Sequence, residues 1–285
     1  MSNILVTGGL GFIGRSLVPA LTAEGHRVVL LARSVEEPNS LIKCSQLTLH
    51  DIETSRIDME FDAVVNLAGK YSFDHNIIGT DTLVESNVEL PVRIAAALSR
   101  HSRPIRWVQA STFMQHKDSQ QRNPSCFYAS TKQATEDLLG YFASDRFELI
   151  SLVLPHIYGA GDNRPKLINL LVGAARAMTS IQLSSGKQVM DLVHVDDIVK
   201  SIQVALFSGV ASGRWQVSSN SNIRIVDIVD FVNTIPGVKI DVRYNNSLDR
   251  LTDCYELWIG APALPGWTKQ IELFDWLRQE LEHQA

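Results

Sequence analysis

Near the amino terminus the chain reads Thr7-Gly8-Gly9-Leu10-Gly11-Phe12-Ile13-Gly14. This stretch follows a short apolar run, Ile4 to Val6, and opens a helical pattern from Phe12 to Ala23 with Ile13, Leu17 and Leu21 on one face. In a strand-turn-helix setting the glycines have separate physical tasks. One permits the tight turn, one lets backbone N–H groups approach a pyrophosphate, and one packs helix against strand. The helix amino terminus then offers unpaired N–H donors to the anion. The stretch therefore predicts a dinucleotide site with Gly8, Gly11, Phe12, Ile13 and Gly14 around the phosphates.

Working outward, short apolar runs alternate with longer helical patterns. Val28–Leu31, Leu47–Leu49 and Ala63–Leu67 read as strands, followed by a helix over Leu83–Leu98. Strands at Ile105–Gln109 and Leu149–Leu154 flank a helix from Tyr128 to Tyr141. Such alternation predicts an α/β fold, a doubly wound parallel sheet of Rossmann type covered on both faces. After Pro155 the rhythm loosens. The segment Gly159–Lys166 leads to helices at Leu167–Ala177, Ile198–Leu206, Ile225–Val232 and Ile271–Leu281, with strands at Val189–Val193, Trp215–Val217 and Val238–Val242. The expected organisation is a dinucleotide-binding domain over 1–160, with 190–217 returning to it. Residues 161–285 would form mainly a small carboxy-terminal α/β region that binds the substrate.

Composition narrows the class. Over 285 residues, 45% hydrophobic and 20% charged describe an ordinary globular protein, and a net charge of -5 argues against nucleic acid as a partner. Cys44, Cys126 and Cys254 are widely spaced, which predicts neither a disulfide framework nor a metal site and fits a reducing compartment. No apolar run approaches the roughly 20 residues of a membrane helix, and Met1-Ser2-Asn3 enters a strand without a signal core. A cytoplasmic protein without a membrane partner is expected.

The end of the second strand selects the dinucleotide. An acid there would hold the adenosine ribose hydroxyls, but the sequence reads Leu31-Ala32-Arg33-Ser34. Arg33 can meet a ribose phosphate through charge-assisted bonds, so NADP(H) is expected over NAD(H).

Tyr128-Ala129-Ser130-Thr131-Lys132 opens a helix and puts tyrosine and lysine on one face, one turn apart. A neighbouring ammonium lowers a phenol's pKa, which suits Tyr128 to proton exchange with a substrate oxygen. Ser111-Thr112 ends the strand that precedes this helix, at the edge where ligands bind in open α/β sheets.

With these motifs, with Asp51 after the third strand, Asn66-Leu67-Ala68-Gly69 at the fourth, Tyr158-Gly159, Val193-His194-Val195-Asp196-Asp197 and Pro265-Gly266-Trp267, the chain resembles the extended short-chain dehydrogenase/reductases along nearly its whole length. The resemblance implies an enzyme in which Tyr128 is the acid/base, Lys132 holds the nicotinamide ribose and tunes Tyr128, and Thr112 orients the substrate oxygen. It places Asp51 and Ile52 at the adenine, and Leu67, Ala68, Gly69, Asn87, Pro155 and His156 along the cofactor. Read on their own, Asp51 is a turn cap, Asp196 a helix N-cap, Asn87 a structural residue and His156 a core histidine. The resemblance also implies a nucleotide-sugar substrate and a homodimer.

Among such relatives the reactions are epimerisation, dehydration and keto reduction. Dehydratases carry a carboxylate pair after the active-site threonine; here Phe113 and Met114 stand there, and neither transfers a proton. Arg33 favours reduction over an NAD-dependent 4-epimerase or a non-catalytic NADP(H) sensor. Thr112–His116, Thr131–Ala134 and Gly161–Lys166 are similar to the CDP-abequose and CDP-paratose synthase group, which reduces nucleotide-linked 4-keto-6-deoxyhexoses. Lys70, Phe113 and Met114 are then expected at the sugar. Many relatives place a pyrophosphate-binding arginine where this chain has Met190, and Arg164, Lys166 or Arg250 would have to replace it.

Overall fold

Uninterrupted runs of Val, Ile and Leu make the first strands buried on both faces, the requirement of a parallel sheet with helices on each side. The computed structural model describes residues 1–32, 44–54, 60–72, 77–100, 103–250 and 252–282. The chain begins β1 (Asn3–Thr7), α1 (Phe12–Ala23), β2 (Arg27–Leu31), β3 (Ser45–Leu47), α2 (Leu49–Glu53) and β4 (Ala63–Asn66). It continues through α3 (Ile77–Val84), a π-helical turn (Glu85–Glu89), α4 (Leu90–Leu98), β5 (Ile105–Thr112), α5 (Phe127–Gly140) and β6 (Phe147–Leu154). There follow β7 (His156–Tyr158), α6 (Leu167–Ala177), β8 (Ser180–Leu183), β9 (Val189–Met190), β10 (Leu192–His194) and α7 (Val195–Phe207). The last elements are β11 (Gly213–Gln216), β12 (Ile223–Arg224), α8 (Ile225–Val232), β13 (Asp241–Tyr244) and α9 (Leu273–Glu282).

Two units divide the chain. The first comprises Met1–Leu154, Val199–Val217 and Ile259–Trp267. Its parallel sheet has the order β11-β6-β5-β4-β1-β2-β3. Strand order reverses between β1 and β4, whose register pairs Thr7 with Asn66, so the two chains that leave the sheet there diverge and open a crevice. Beneath it lies a core of Leu5, Val29, Val64, Trp107 and Phe147 packed against Ile94, Leu98 and Leu139. Each such side chain contributes about 1.5–3 kcal/mol by burial, which fixes the strand ends that carry polar groups.

The second unit comprises Pro155–Ile198, Ser218–Trp258 and Thr268–Ala285. The boundary expected at 160 thus falls after Leu154, and the return to the first unit begins at Val199, not at 190. The unit has its own core of Tyr158, Ile168, Leu171, Ile228, Val232 and Leu277. Three two-stranded pairs build it: β10 with β7, β12 with β9, and β13 with β8. Buried carboxylates tie its loops. Asp191 accepts from the Ser219 N–H at 2.8 Å and hydroxyl at 2.6 Å, and Asp197 accepts from the N–H groups of Gln270 and Ile271.

Several sequence expectations are corrected. The third strand ends at Leu47, because Thr48 caps a helix that starts at Leu49. The single strand expected over Val189–Val193 is two strands in different sheets, separated at Asp191. Asp196 lies in the first turn of α7, inside the helix and not at its N-cap. The strand expected at Val238–Val242 runs instead from Asp241 to Tyr244, paired with β8.

Candidate active site

Gly8 leaves β1 at φ +66, a conformation that L side chains rarely adopt. A Cβ there would stand 2.8 Å from the Ala68 nitrogen, so the turns after β1 and β4 touch through backbone alone. A Cβ on Gly14 would stand 2.5 Å from the Gly8 carbonyl oxygen, and this contact draws α1 onto the turn. Gly11 is the N-cap of α1 and brings no side chain to its first N–H groups. That exposed helix start beside side-chain-free backbone fits a pyrophosphate. Phe12 and Ile13 form the first helical residues.

A chain of hydrogen bonds, buried at its centre, runs from this turn across the sheet. The Ala68 N–H donates to Thr7 Oγ1 at 3.0 Å, and that hydroxyl donates to Asn66 Oδ1 at 2.6 Å. Asn66 Nδ2 donates to Gln109 Oε1 at 2.9 Å, and Gln109 Nε2 donates to the Ala110 carbonyl at 3.2 Å. The same carbonyl accepts from Lys132 Nζ at 3.2 Å. The glycine turn and the lysine of α5 are thereby joined through the carboxyl ends of β1, β4 and β5.

Lys132 is buried, and burial pushes its ammonium down to about 8, against the opposing pull of the Glu136 carboxylate. It remains mostly protonated at pH 7, poised within reach of neutral chemistry. Gly69 lies against it: a Cβ there would meet Lys132 Nζ at 2.9 Å and Asn87 Oδ1 at 3.0 Å. Asn87, in the π-helical turn, latches this loop. Its Oδ1 accepts from the Lys70 N–H at 2.8 Å, while its Nδ2 donates to the Lys70 carbonyl and to Thr131 Oγ1, both at 3.0 Å. Tyr128, one turn before Lys132, is half-buried and meets the Tyr71 ring edge-on at 4.9 Å.

Thr112 ends β5 and caps the 3-10 turn Phe113–Gln115. Its hydroxyl accepts from the Met114 N–H at 3.4 Å, and its own N–H donates to Gln115 Oε1 at 3.0 Å. Phe113 and Met114 are 9% and 7% exposed, so an apolar surface and no carboxylate follows the threonine.

The first unit therefore holds Gly8, Gly11, Gly14, Leu67, Ala68, Gly69, Lys70, Asn87, Phe113, Met114, Thr112, Tyr128 and Lys132. Asp51 and Ile52 lie on α2, where the Asp51 carboxylate completes a capping box with Thr48. Arg33 lies outside the described residues. Pro155, His156, Arg164, Lys166 and Arg250 belong to the second unit. Burial and then the Lys166 charge push His156 down to about 4, so its imidazole is neutral. Arg164 makes a bidentate pair with Asp162 at 2.6 and 2.8 Å. Burial, then the Arg164 charge, with a smaller contribution from Arg250, pushes Lys166 down to about 8 although Asp162 opposes it. The supporting hydrogen bonds of Thr7, Gln109, Gln115 and Glu136 are not among the sequence expectations. Only Gln115, three residues past Thr112, carried a local signal, as the last member of a capping box.

A glycine cradle at the switch point of a parallel sheet, beside a buried lysine one turn from a tyrosine, defines a dinucleotide-dependent oxidoreductase of the extended short-chain dehydrogenase/reductase type. More specifically, the chain belongs to the NAD dependent epimerase/dehydratase family, whose profile matches residues 4–217. CDP-abequose synthase of Yersinia pseudotuberculosis is 25% identical over 261 residues, covering 86% of this chain and 89% of that protein. The dTDP-6-deoxy-L-talose 4-dehydrogenase (NAD(+)) of Aggregatibacter actinomycetemcomitans is 24% identical over 275 residues, covering 90% and 98%. Among solved structures, MoeE5 in complex with UDP-glucuronic acid and NAD superposes with a TM-score of 0.82 at 22% identity, covering 98% of each chain.

Proposed function

We propose that the enzyme reduces the 4-keto group of a nucleoside-diphosphate 4-keto-6-deoxyhexose, using NADPH. The observation that carries this reading is the apolar turn after Thr112. A dehydratase needs an additional acid and base there, whereas buried Phe113 and Met114 suit the methyl group of a 6-deoxy sugar. The relatives named above, a CDP-abequose synthase and a deoxy-talose 4-dehydrogenase, support a nucleotide-linked deoxy sugar.

When bound, the nicotinamide supplies a hydride equivalent to the carbonyl carbon. Tyr128 gives its phenolic proton to the carbonyl oxygen, and the Thr112 hydroxyl orients that oxygen. Lys132, held by the Ala110 carbonyl, keeps a positive charge near the phenol and contacts the ribose. Gly8, Gly11 and the first residues of α1 receive the pyrophosphate, and Leu67, Ala68 and Gly69 line the cofactor. Asp51 and Ile52 contact the adenine, and Arg33 takes the ribose phosphate of NADP(H). In the second unit Lys166 and Arg250, with Arg164 oriented by Asp162, hold the substrate diphosphate in place of the arginine that Met190 lacks. The protein pairs as a homodimer through helices flanking the sheet, a reading supported by the exposed Leu138 on α5 and Tyr141 at its C-cap.

Purified protein is expected to consume NADPH when given CDP- or dTDP-4-keto-6-deoxyglucose. Stoichiometric NAD released on denaturation, with sugar nucleotides interconverted and no net cofactor use, would instead establish a 4-epimerase.

A further inference from the structure

Glu136 is a carboxylate buried one turn beyond Lys132 on α5, with 6% of its surface exposed. A carboxylate only accepts, and both oxygens of Glu136 are taken. Oε1 accepts from the Ser111 hydroxyl, and Oε2 accepts from Gln115 Nε2 at 3.2 Å and from the Arg214 guanidinium. Arg214 reaches it from β11: the register aligns Arg214 with Ser151 and Ser151 with Gln109, two residues before Ser111 on the same strand face. Gln115 is the relay. Its Nε2 donates to Glu136 while its Oε1 receives the Thr112 N–H at 3.0 Å. The carboxylate thus joins both residues that end β5 to the helix that carries Tyr128 and Lys132. A buried ion pair is weak evidence of stabilisation, since apolar groups of equal volume often serve stability as well. Its placement, with donors from Ser111 at the end of β5 and from Gln115 in the turn that follows, requires another account.

We infer that Glu136, countered by Arg214, is a positioning residue that sets Thr112 relative to Tyr128 and Lys132 through Ser111 and Gln115. The inference rests on the reading of those three residues as the reacting site. Glu136 also supplies the charge that opposes the effect of burial on Lys132, so one carboxylate serves both sides of the site.

The test compares Glu136→Gln, Gln115→Ala and Arg214→Lys in the full chain. Gln115→Ala cuts the relay and keeps the buried pair, and Arg214→Lys keeps the charge, so these two guard against simple misfolding. Amide hydrogen exchange read by NMR is expected to speed up at Thr112 by about tenfold or more in Glu136→Gln and Gln115→Ala, with the β1 amides unchanged. With [ε-13C]lysine labelling and Lys132 assigned through Lys132→Arg, the Lys132 titration midpoint should fall by about one unit in Glu136→Gln, since an opposite charge is lost. It should stay in place in Gln115→Ala. With CDP-4-keto-6-deoxyglucose and NADPH, kcat should fall about tenfold or more in both variants while KM stays within about twofold. Arg214→Lys should retain most of the wild-type values. Unchanged Thr112 exchange in both variants, or an unmoved Lys132 midpoint in Glu136→Gln, would overturn the inference. If the wild-type protein turns over no keto sugar, the proposed reaction fails, whereas the exchange and titration results still decide the positioning.

Discussion

The groups proposed to react, in the first unit, and the cations proposed to bind the diphosphate, in the second, are held in different ways. In the first, polar side chains are buried and committed to one another. Thr7, Asn66, Gln109 and the Ala110 carbonyl form one hydrogen-bonded line to Lys132, and Asn87 fixes the loop that carries Gly69. In the second, Arg164 is exposed and Lys166 partly so, and with Arg250 they influence one another by charge. A reaction centre needs groups held to fractions of an ångström, which interlocked buried bonds provide. Recognition of a diphosphate needs positive potential and tolerates looser geometry. The contrast predicts that damage in the first unit appears in kcat or in folding, and damage among the second unit's cations appears in KM.

The largest break should come at Gly14. A Cβ there meets the backbone of Gly8 and Gly9, neither of which can swing aside. Gly14→Val is expected to abolish NADPH binding measured by fluorescence titration and to lower the melting temperature; unchanged affinity would remove the turn from the account. Next is Tyr128→Phe, which keeps the ring and removes the proton donor. It should reduce kcat by about 10²–10⁴-fold with cofactor affinity nearly intact.

The pH dependence sharpens the same contrast. The folded pKa of Lys132 is depressed to about 8, so its ammonium is present below that value and is lost as pH rises through it. Reduction that depends on this charge should decline above about pH 8, and a rate flat to about pH 10 would contradict the assignment. Stability moves in the opposite sense: the folded state releases this proton earlier than the unfolded chain, so this group's contribution rises between about 8 and the ordinary lysine value of 10.5. The smallest effect is expected in the second unit. Lys166→Ala should raise KM for the nucleotide sugar by about tenfold with kcat within about twofold. An equal fall in kcat and kcat/KM would place Lys166 in the reacting site instead.

The sequence revealed the first unit's chemistry better than its support. Thr7–Gly14 and Tyr128–Lys132 are local patterns, each set by one turn or one helical repeat, so spacing alone exposes them. Glu136 and Arg214 meet across 78 positions, and Thr7 and Asn66 across 59. Pairings at that distance leave no periodicity to read. Asp51 shows the opposite limit: it is visible as a capping residue, and Thr48 uses its carboxylate in that way. In the second unit the strands β7 and β9 are three and two residues long, too short to show an alternating pattern, so the sequence predicts no strand at β7 and one continuous strand across β9 and β10. The sequence offers Arg164, Lys166 and Arg250 as alternatives for one role, but the charge effect of Arg250 on Lys166 across 84 positions leaves no local pattern to read.

The central claim is that the reacting group of Tyr128, Lys132 and Thr112 delivers reduction to C4 of a keto sugar. The most direct measurement supplies NADPH carrying deuterium at the transferring position of the nicotinamide, together with CDP-4-keto-6-deoxyglucose, to wild-type protein and to Tyr128→Phe. The account predicts deuterium at C4 of the wild-type product and almost none with Tyr128→Phe. Deuterium retained on the cofactor by the wild-type protein, or equal transfer by the variant, would contradict it.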